Sequence, residues 1–199
     1  MVESRMKTLL GLLPLLFAFH AAAQALGPEE LVKKVTADVL EALKSDKDLL
    51  ADRKRALALA EQKVLPHVDF REAAQLAVGK LWWKATPAQQ ERIATEFRGL
   101  LIRIYSNALD TYRGQTMQVL PLRMAAGATE TTVRNRYLKP GAPPVPVDYA
   151  MKKTPEGWKI YDISVEGVSL VLTYRSEFEQ ITRTSGIDGL IKRLAEKNA

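Results

Sequence analysis

The chain has 199 residues, a formal net charge of +6 and no cysteine. Without thiols there can be no disulfide framework and no thiolate metal site, so a hydrophobic core must hold the fold. The basic balance would suit nucleic acid, an anionic membrane face or an acidic partner, but Lys33-Lys34 and Arg53-Lys54-Arg55 lie beside acids on helical stretches, as solvated faces do.

Residues 1–25 read as an export signal. Arg5 and Lys7 precede the apolar run Leu9 to Phe19, and small residues end in Ala23-Gln24-Ala25. That order is the charged, apolar and Ala-x-Ala sequence of a cleavable secretory segment. The run is also shorter than the ~20 apolar residues that span a bilayer. Cleavage after Ala25 leaves residues 26–199 as a single exported domain, for which nucleic acid is not an expected partner.

From Gly27 to about Arg113 the period is helical. Pro28 suits a first helical position, and Val32, Val35, Val39, Leu40 and Leu43 follow as one stripe. A second helix is predicted from Lys47 to Leu65, stopped by Pro66. Asp69 can cap a third, carrying Phe70, Ala73, Ala74, Leu76 and Ala77 and ended by Gly79. Thr86-Pro87-Ala88-Gln89 has the form of a capping box with proline at the first helical position. The helix it opens is predicted to reach about Tyr112, with Ile93, Phe97, Leu100, Leu101, Ile104 and Tyr105 on one side. Gly99 in its interior costs ~1 kcal/mol relative to Ala, which points to close packing or to space left for something else.

After Gly114 the period becomes two. Met117 and Val119, then Val133, Asn135 and Tyr137, then Val145, Val147, Tyr149 and Met151 alternate with polar neighbours, as half-covered strands do. Turns fall at Ala126-Gly127, Pro140 to Pro144 and Pro155-Glu156-Gly157, and such short connections favour antiparallel pairing. Strict alternation over Trp158 to Val165 puts Trp158 and Ile160 on one side and Tyr161, Ile163 and Val165 on the other, so both faces should be covered. Val168 to Thr173 is ambiguous. Two helices are then expected, one through Val171, Tyr174, Phe178 and Ile181 and one through Ile187, Leu190, Ile191 and Leu194, separated at Ser185-Gly186. The class is α+β, with N-terminal helices and two C-terminal helices packed on an antiparallel sheet.

Little in the sequence points to catalysis. Beyond the signal only His67 is left as a histidine, and no Gly-x-Ser-x-Gly elbow or glycine-rich phosphate loop occurs. One His and no Cys argue against zinc. Asp148, Asp162 and Glu166 stay open as carboxylates: one of them, buried near Tyr149, could be a general base, or they face solvent or pair with Arg134 or Arg175. The large apolar residues Trp82, Trp83, Phe97, Tyr105, Tyr149, Met151, Trp158, Tyr161, Tyr174 and Phe178 suit a packed core or a lined cavity equally, since both put them at this spacing.

Val145-Pro-Val-Asp-Tyr149, Gly157-Trp-Lys-Ile-Tyr-Asp162, Val165-Glu-Gly-Val-Ser169 and Tyr174-Arg175 together resemble the signature of the MlaC family, the toluene-tolerance proteins. Gly79-Lys-Leu-Trp82, Thr86-Pro-Ala-Gln-Gln90, Phe97 and Tyr105 extend the likeness through the helical half; Trp83, beside Trp82, departs from it. The resemblance implies a periplasmic phospholipid-binding protein on a curved sheet similar to a nuclear-transport-factor-like cone, with an apolar cavity and no enzymatic activity. It implies no cofactor or metal, only phospholipid as cargo, and a monomer that exchanges lipid with an inner-membrane ABC transporter complex and an outer-membrane lipoprotein-porin complex. The lining is then expected from Leu81, Trp82, Phe97, Leu100, Leu101, Ile104, Tyr105, Val133, Val147, Tyr149, Met151, Ile163, Val165 and Leu172, with Arg103 and Arg134 as head-group contacts. Beside this carrier stand an enzyme on a similar fold using Asp148 or Asp162 as base, and an interaction module with a solid core.

Overall fold

Pro28 opens helix α1 (Pro28–Ser45), where its missing N–H leaves no bond unmade and Glu29 and Glu30 lie at the positive end of the helix. The structure, a computed structural model, describes residues 26–46, 48–105 and 115–199. The expected export signal, Lys47 and the expected continuation of the long helix to Tyr112 lie outside the described residues.

The second helix begins later than its period suggested. A 3₁₀ turn, Leu49–Ala51, comes first, and α2 (Arg53–Lys63) starts only after Asp52, whose carboxylate accepts the backbone N–H groups of Lys54 and Arg55. A side chain that satisfies orphan N–H groups sets a helix start more strongly than an apolar stripe does. Helix α3 (Phe70–Val78) has the expected cap, with Glu72 N–H donating to Asp69 Oδ1 at 2.9 Å, and it ends at Gly79. After the 3₁₀ turn Gly79–Lys84, α4 (Pro87–Tyr105) carries the full reciprocal capping box. Gln89 N–H donates to Thr86 Oγ1 at 3.3 Å and Thr86 N–H donates to Gln89 Oε1 at 2.9 Å. Gly99 marks close packing: a Cβ there would stand 2.9 Å from Asn198 Nδ2, which donates to the Glu96 carbonyl at 2.8 Å.

Five antiparallel strands follow in sequential order: β1 (Thr116–Val119), β2 (Glu130–Leu138), β3 (Val145–Thr154), β4 (Gly157–Val165) and β5 (Val168–Ser169). Val133 stands opposite Tyr149, Asn135 opposite Val147 and Tyr137 opposite Val145, so the odd-numbered residues of β2 and β3 share one face, the inner one. Strict alternation fails in β4. Met151 pairs with Ile160 but Ala150 with Asp162, leaving Tyr161 as an extra residue in a bulge. The bulge shifts the phase of the strand. Trp158 and Ile160 therefore share the inner face with Ile163 and Val165, which pair with Tyr149 and Val147.

The ambiguous stretch divides into β5 and a 3₁₀ turn, Leu172–Tyr174. Helix α5 (Arg175–Asn198) is kinked at Gly186 (φ 72°), giving the two helical halves expected around Ser185-Gly186. The fold is α+β, with two cores. In one, Leu31 and Val32 of α1 lie on the inner face against Val133, Met151 and Trp158. In the other, Ala74, Ala77 and Trp82 pack with Ile93, Phe97 and Leu100 of α4 and Phe178, Leu190 and Leu194 of α5.

Candidate functional site

Most of the inner face is closed by α1. Glu29 anchors that helix by accepting the Leu122 N–H at 3.1 Å, and Thr36 Oγ1 meets Met117 Sδ at 3.5 Å. Toward the β5 end the cover thins. Val147 is still buried there, but Tyr149, Ile163 and Val165 are half-buried. Burial pushes the Tyr149 hydroxyl well above the ordinary phenol range, with Tyr137 adding to the effect. Tyr149 packs against the core under α1.

One end of α4 is tied to this region. Tyr105 Oη donates to the Leu170 carbonyl at 3.4 Å, and Leu170 N–H donates to the Ile163 carbonyl at 2.8 Å. Leu101, Ile104 and Tyr105, spaced i, i+3 and i+4 on α4, lie on one side of that helix. Ile104 is 43% exposed and Leu172, on the following 3₁₀ turn, is 41% exposed. These values are high for large aliphatic side chains.

The residues expected to line a pocket therefore separate into two groups. Ile104 and Leu172 are exposed and Tyr105, Ile163 and Val165 half-buried, while half-buried Leu101 packs on the helical core, half-buried Tyr149 packs on the core under α1, and Val147 is buried. Trp82, Phe97 and Leu100 are fully enclosed in the helical core, with half-buried Leu81 beside them, and Val133 and Met151 are enclosed under α1. Phe97 meets Tyr174 and Phe178 edge-on, with ring centroids 5.3 Å apart in each case, which is core geometry. The two indoles differ as well: Trp82 is buried while Trp83 is 73% exposed.

The charged candidates stand elsewhere. Arg134 is opposite Asp148 in the register, on the outer face, with the sheet between it and Tyr149. Arg103 is exposed in the last described turn of α4. Asp162 is buried, and its Oδ1 accepts the N–H groups of Ile163 at 2.8 Å and Val171 at 3.2 Å. A carboxylate held this way pins backbone. Burial, with Lys159 and Lys34 nearby, holds His67 below the usual imidazole range. Among the described residues no group of His, Asp and Glu could hold a metal ion, and no helix is long and apolar enough to cross a membrane. A cleft of about 360 Å³ includes Glu72, Glu130, Tyr161, Trp83 and Arg175 in its lining; with the Lys152–Glu72 ion pair at 3.0 Å it belongs to the outer side.

Two inner-face residues were not singled out from the sequence. Asn135, 1% exposed, donates from Nδ2 to the carbonyls of Val133 at 2.9 Å and Val147 at 3.1 Å. Tyr137 shares a 3.0 Å hydroxyl contact with Tyr149. The available signal was a polar residue at an inward position of an alternating strand.

A family model described as MlaC protein matches residues 33–196. The toluene tolerance protein ttg2D of Pseudomonas putida is 29% identical over 183 residues, covering 89% of this chain and 84% of that protein. The intermembrane phospholipid transport system binding protein MlaC of Haemophilus influenzae is 23% identical over 141 residues, 69% of this chain and 66% of the relative. Among solved structures, a phospholipid-binding protein from Ralstonia solanacearum in complex with a phospholipid superimposes with a TM-score of 0.76 at 39% identity. The match covers 85% of this chain and 96% of that one.

Proposed function

We propose that this chain, which belongs to the MlaC family, is a non-enzymatic phospholipid carrier. The acyl chains of its cargo lie against the inner face, between Leu101, Ile104 and Tyr105 of α4 and Tyr149, Ile163 and Val165 of the sheet, with Val147 beneath them. The observation that carries this reading is the exposed aliphatic surface of Ile104 and Leu172, with Ile163 and Val165 half-buried, in a fold whose Ralstonia relative was solved with phospholipid bound.

The physics of transfer fits such a slot. Each CH₂ moved out of water gains ~0.8 kcal/mol, so one sixteen-carbon chain in bare water is disfavoured by on the order of 12 kcal/mol. A carrier has to offset nearly all of that and still release its cargo to a bilayer. An apolar slot with few polar anchors does both. Export to the periplasm, the monomeric state and lipid exchange between an inner-membrane ABC transporter complex and an outer-membrane lipoprotein-porin complex complete the proposal.

Organic extraction of the purified, denatured protein followed by mass spectrometry tests it. Stoichiometric phospholipid is expected, and its absence from protein expressed with its export signal would count against the carrier. Leu101→Glu, which places a charge on the slot, should copurify without lipid while staying folded.

A further inference from the structure

Trp83 is the most exposed large hydrophobic side chain among the described residues, at 73%, and the only aromatic one of that kind. The fold does not use it. Trp82 supplies the indole of the helical core, and Trp83 belongs to neither core. It borders the outer cleft beside Leu76 and Tyr161 without being covered by it. An indole left this way keeps a large apolar surface in water, together with an N–H donor.

The turn that carries Trp83 is held from behind. Trp82 and half-buried Leu81 pack into the helical core, Gln90 Nε2 donates to the Trp82 carbonyl at 3.1 Å, and the Arg175 guanidinium lies against Gly79. In a 3₁₀ turn residues i and i+3 eclipse, so Lys80 and Trp83 stand on one line of Gly79–Lys84, turned away from Leu81 and Trp82. Lys84 follows directly. Both lysines are exposed, and among the described residues neither makes an ion pair. The carboxylates of the adjoining cleft, Glu72 and Glu130, are engaged by Lys152 at 3.0 and 3.6 Å.

A braced turn thus presents a protruding indole between two uncompensated ammonium groups. An anionic bilayer surface is the complement of that arrangement. Tryptophan settles at the level of lipid head groups, where ring and N–H find apolar and wet surroundings together. Lysine lays its stem along apolar surface while its head reaches phosphate, and negative surface potential attracts it. Neither side chain needs a shaped counterpart, as a protein partner would have to provide. We propose that Lys80, Trp83 and Lys84 form a docking point for an anionic lipid surface. It lies on the outer side of the sheet, apart from the acyl-chain slot, and goes beyond the carrier reading above.

Vesicle binding tests it, with Trp83 as its own reporter, since the chain's other two tryptophans, Trp82 and Trp158, are buried. The exported protein is mixed with sucrose-loaded vesicles of equal parts phosphatidylglycerol and phosphatidylcholine, or of phosphatidylcholine alone, and followed by sedimentation and tryptophan emission. With the anionic vesicles at low salt, cosedimentation and a blue shift are expected. Both should vanish with the neutral vesicles, and also in about 1 M salt, where charges act over only ~3 Å. Lys80→Gln and Lys84→Gln should each weaken binding about fivefold, and Trp83→Ser should weaken it more than either while the emission of the buried indoles reports an intact fold. No binding to anionic vesicles, equal binding to neutral ones, or binding that Trp83→Ser leaves unchanged would overturn the docking point. A blue shift with polyglutamate but not with vesicles would assign the turn to an acidic protein and overturn it equally. Leu101→Glu, altered in the slot, should bind vesicles like the unaltered protein. Copurified phospholipid without vesicle binding would therefore remove the docking point and leave the carrier standing.

Discussion

Asp162 and Val171 are joined across the boundary between sheet and helices: the Val171 N–H donates to Asp162 Oδ1 at 3.2 Å, and the Ile163 N–H donates to the same oxygen at 2.8 Å. The contact ties β4 to the segment that leads into α5. Asp162→Ala leaves two N–H groups without this acceptor and should lower unfolding stability by ~1–3 kcal/mol in denaturant titration. Asp162→Asn keeps an acceptor oxygen and should lose less. Equal losses in the two variants would show that the bond to Val171 does not matter.

Phe97 and Ile104 lie on the same helix and should respond oppositely. Phe97 is enclosed between Tyr174 and Phe178, so Phe97→Ala should cost ~3–5 kcal/mol through the cavity it leaves. Ile104→Lys changes an exposed side chain and should stay within about 0.5 kcal/mol, yet protein carrying it should yield little phospholipid on extraction. Full lipid content in Ile104→Lys would remove that residue from the slot.

Burial, the neighbouring Tyr105 and the charge of Glu177 push the Tyr174 hydroxyl up to about 12. In the unfolded chain the same phenol titrates near ~10. Because the folded value is the higher one, the contribution of Tyr174 to stability is fully present below ~10 and is lost as pH rises from there through about 12. The stability of Tyr174→Phe should therefore fall less steeply over that window. Parallel profiles for the two proteins would contradict the assignment.

Gly79 ends α3 at φ 65°, ψ −137°, a conformation that L side chains rarely adopt, and an added Cβ would stand 3.4 Å from the guanidinium carbon of Arg175. Gly79→Ala should cost ~1–3 kcal/mol, read as a lowered Tm. A neutral substitution would mean that the turn readjusts freely.

Much of the architecture was legible because its signals are local. The Thr86–Gln89 box, the Asp69 cap, the break at Gly186 and the alternation through β2 and β3 each depend on residues within one turn or one strand of each other. The period of two likewise placed Val133, Val147, Tyr149 and Met151 on one face. The failures came where a local event outweighed a period: Asp52 restarted a helix that an apolar stripe seemed to continue, and the bulge at Tyr161 moved Ile163 and Val165 onto the face of Trp158 and Ile160.

By itself the sequence determined which side chains of α1, α3, α4, β2 and β3 point inward, since helix and strand periods are properties of the backbone, and the resemblance its motifs carry pointed to the family. Only the tertiary structure decided which inward residues are enclosed and which stay open. Phe97 and Ile104 follow the same period, but one meets α5 while the other lies beyond it, and no pattern within a helix encodes how far its neighbour extends. That Asn135 Oδ1 has no hydrogen-bond partner among the described residues arises in the same way, because partnering depends on the surrounding space, which local spacing does not specify.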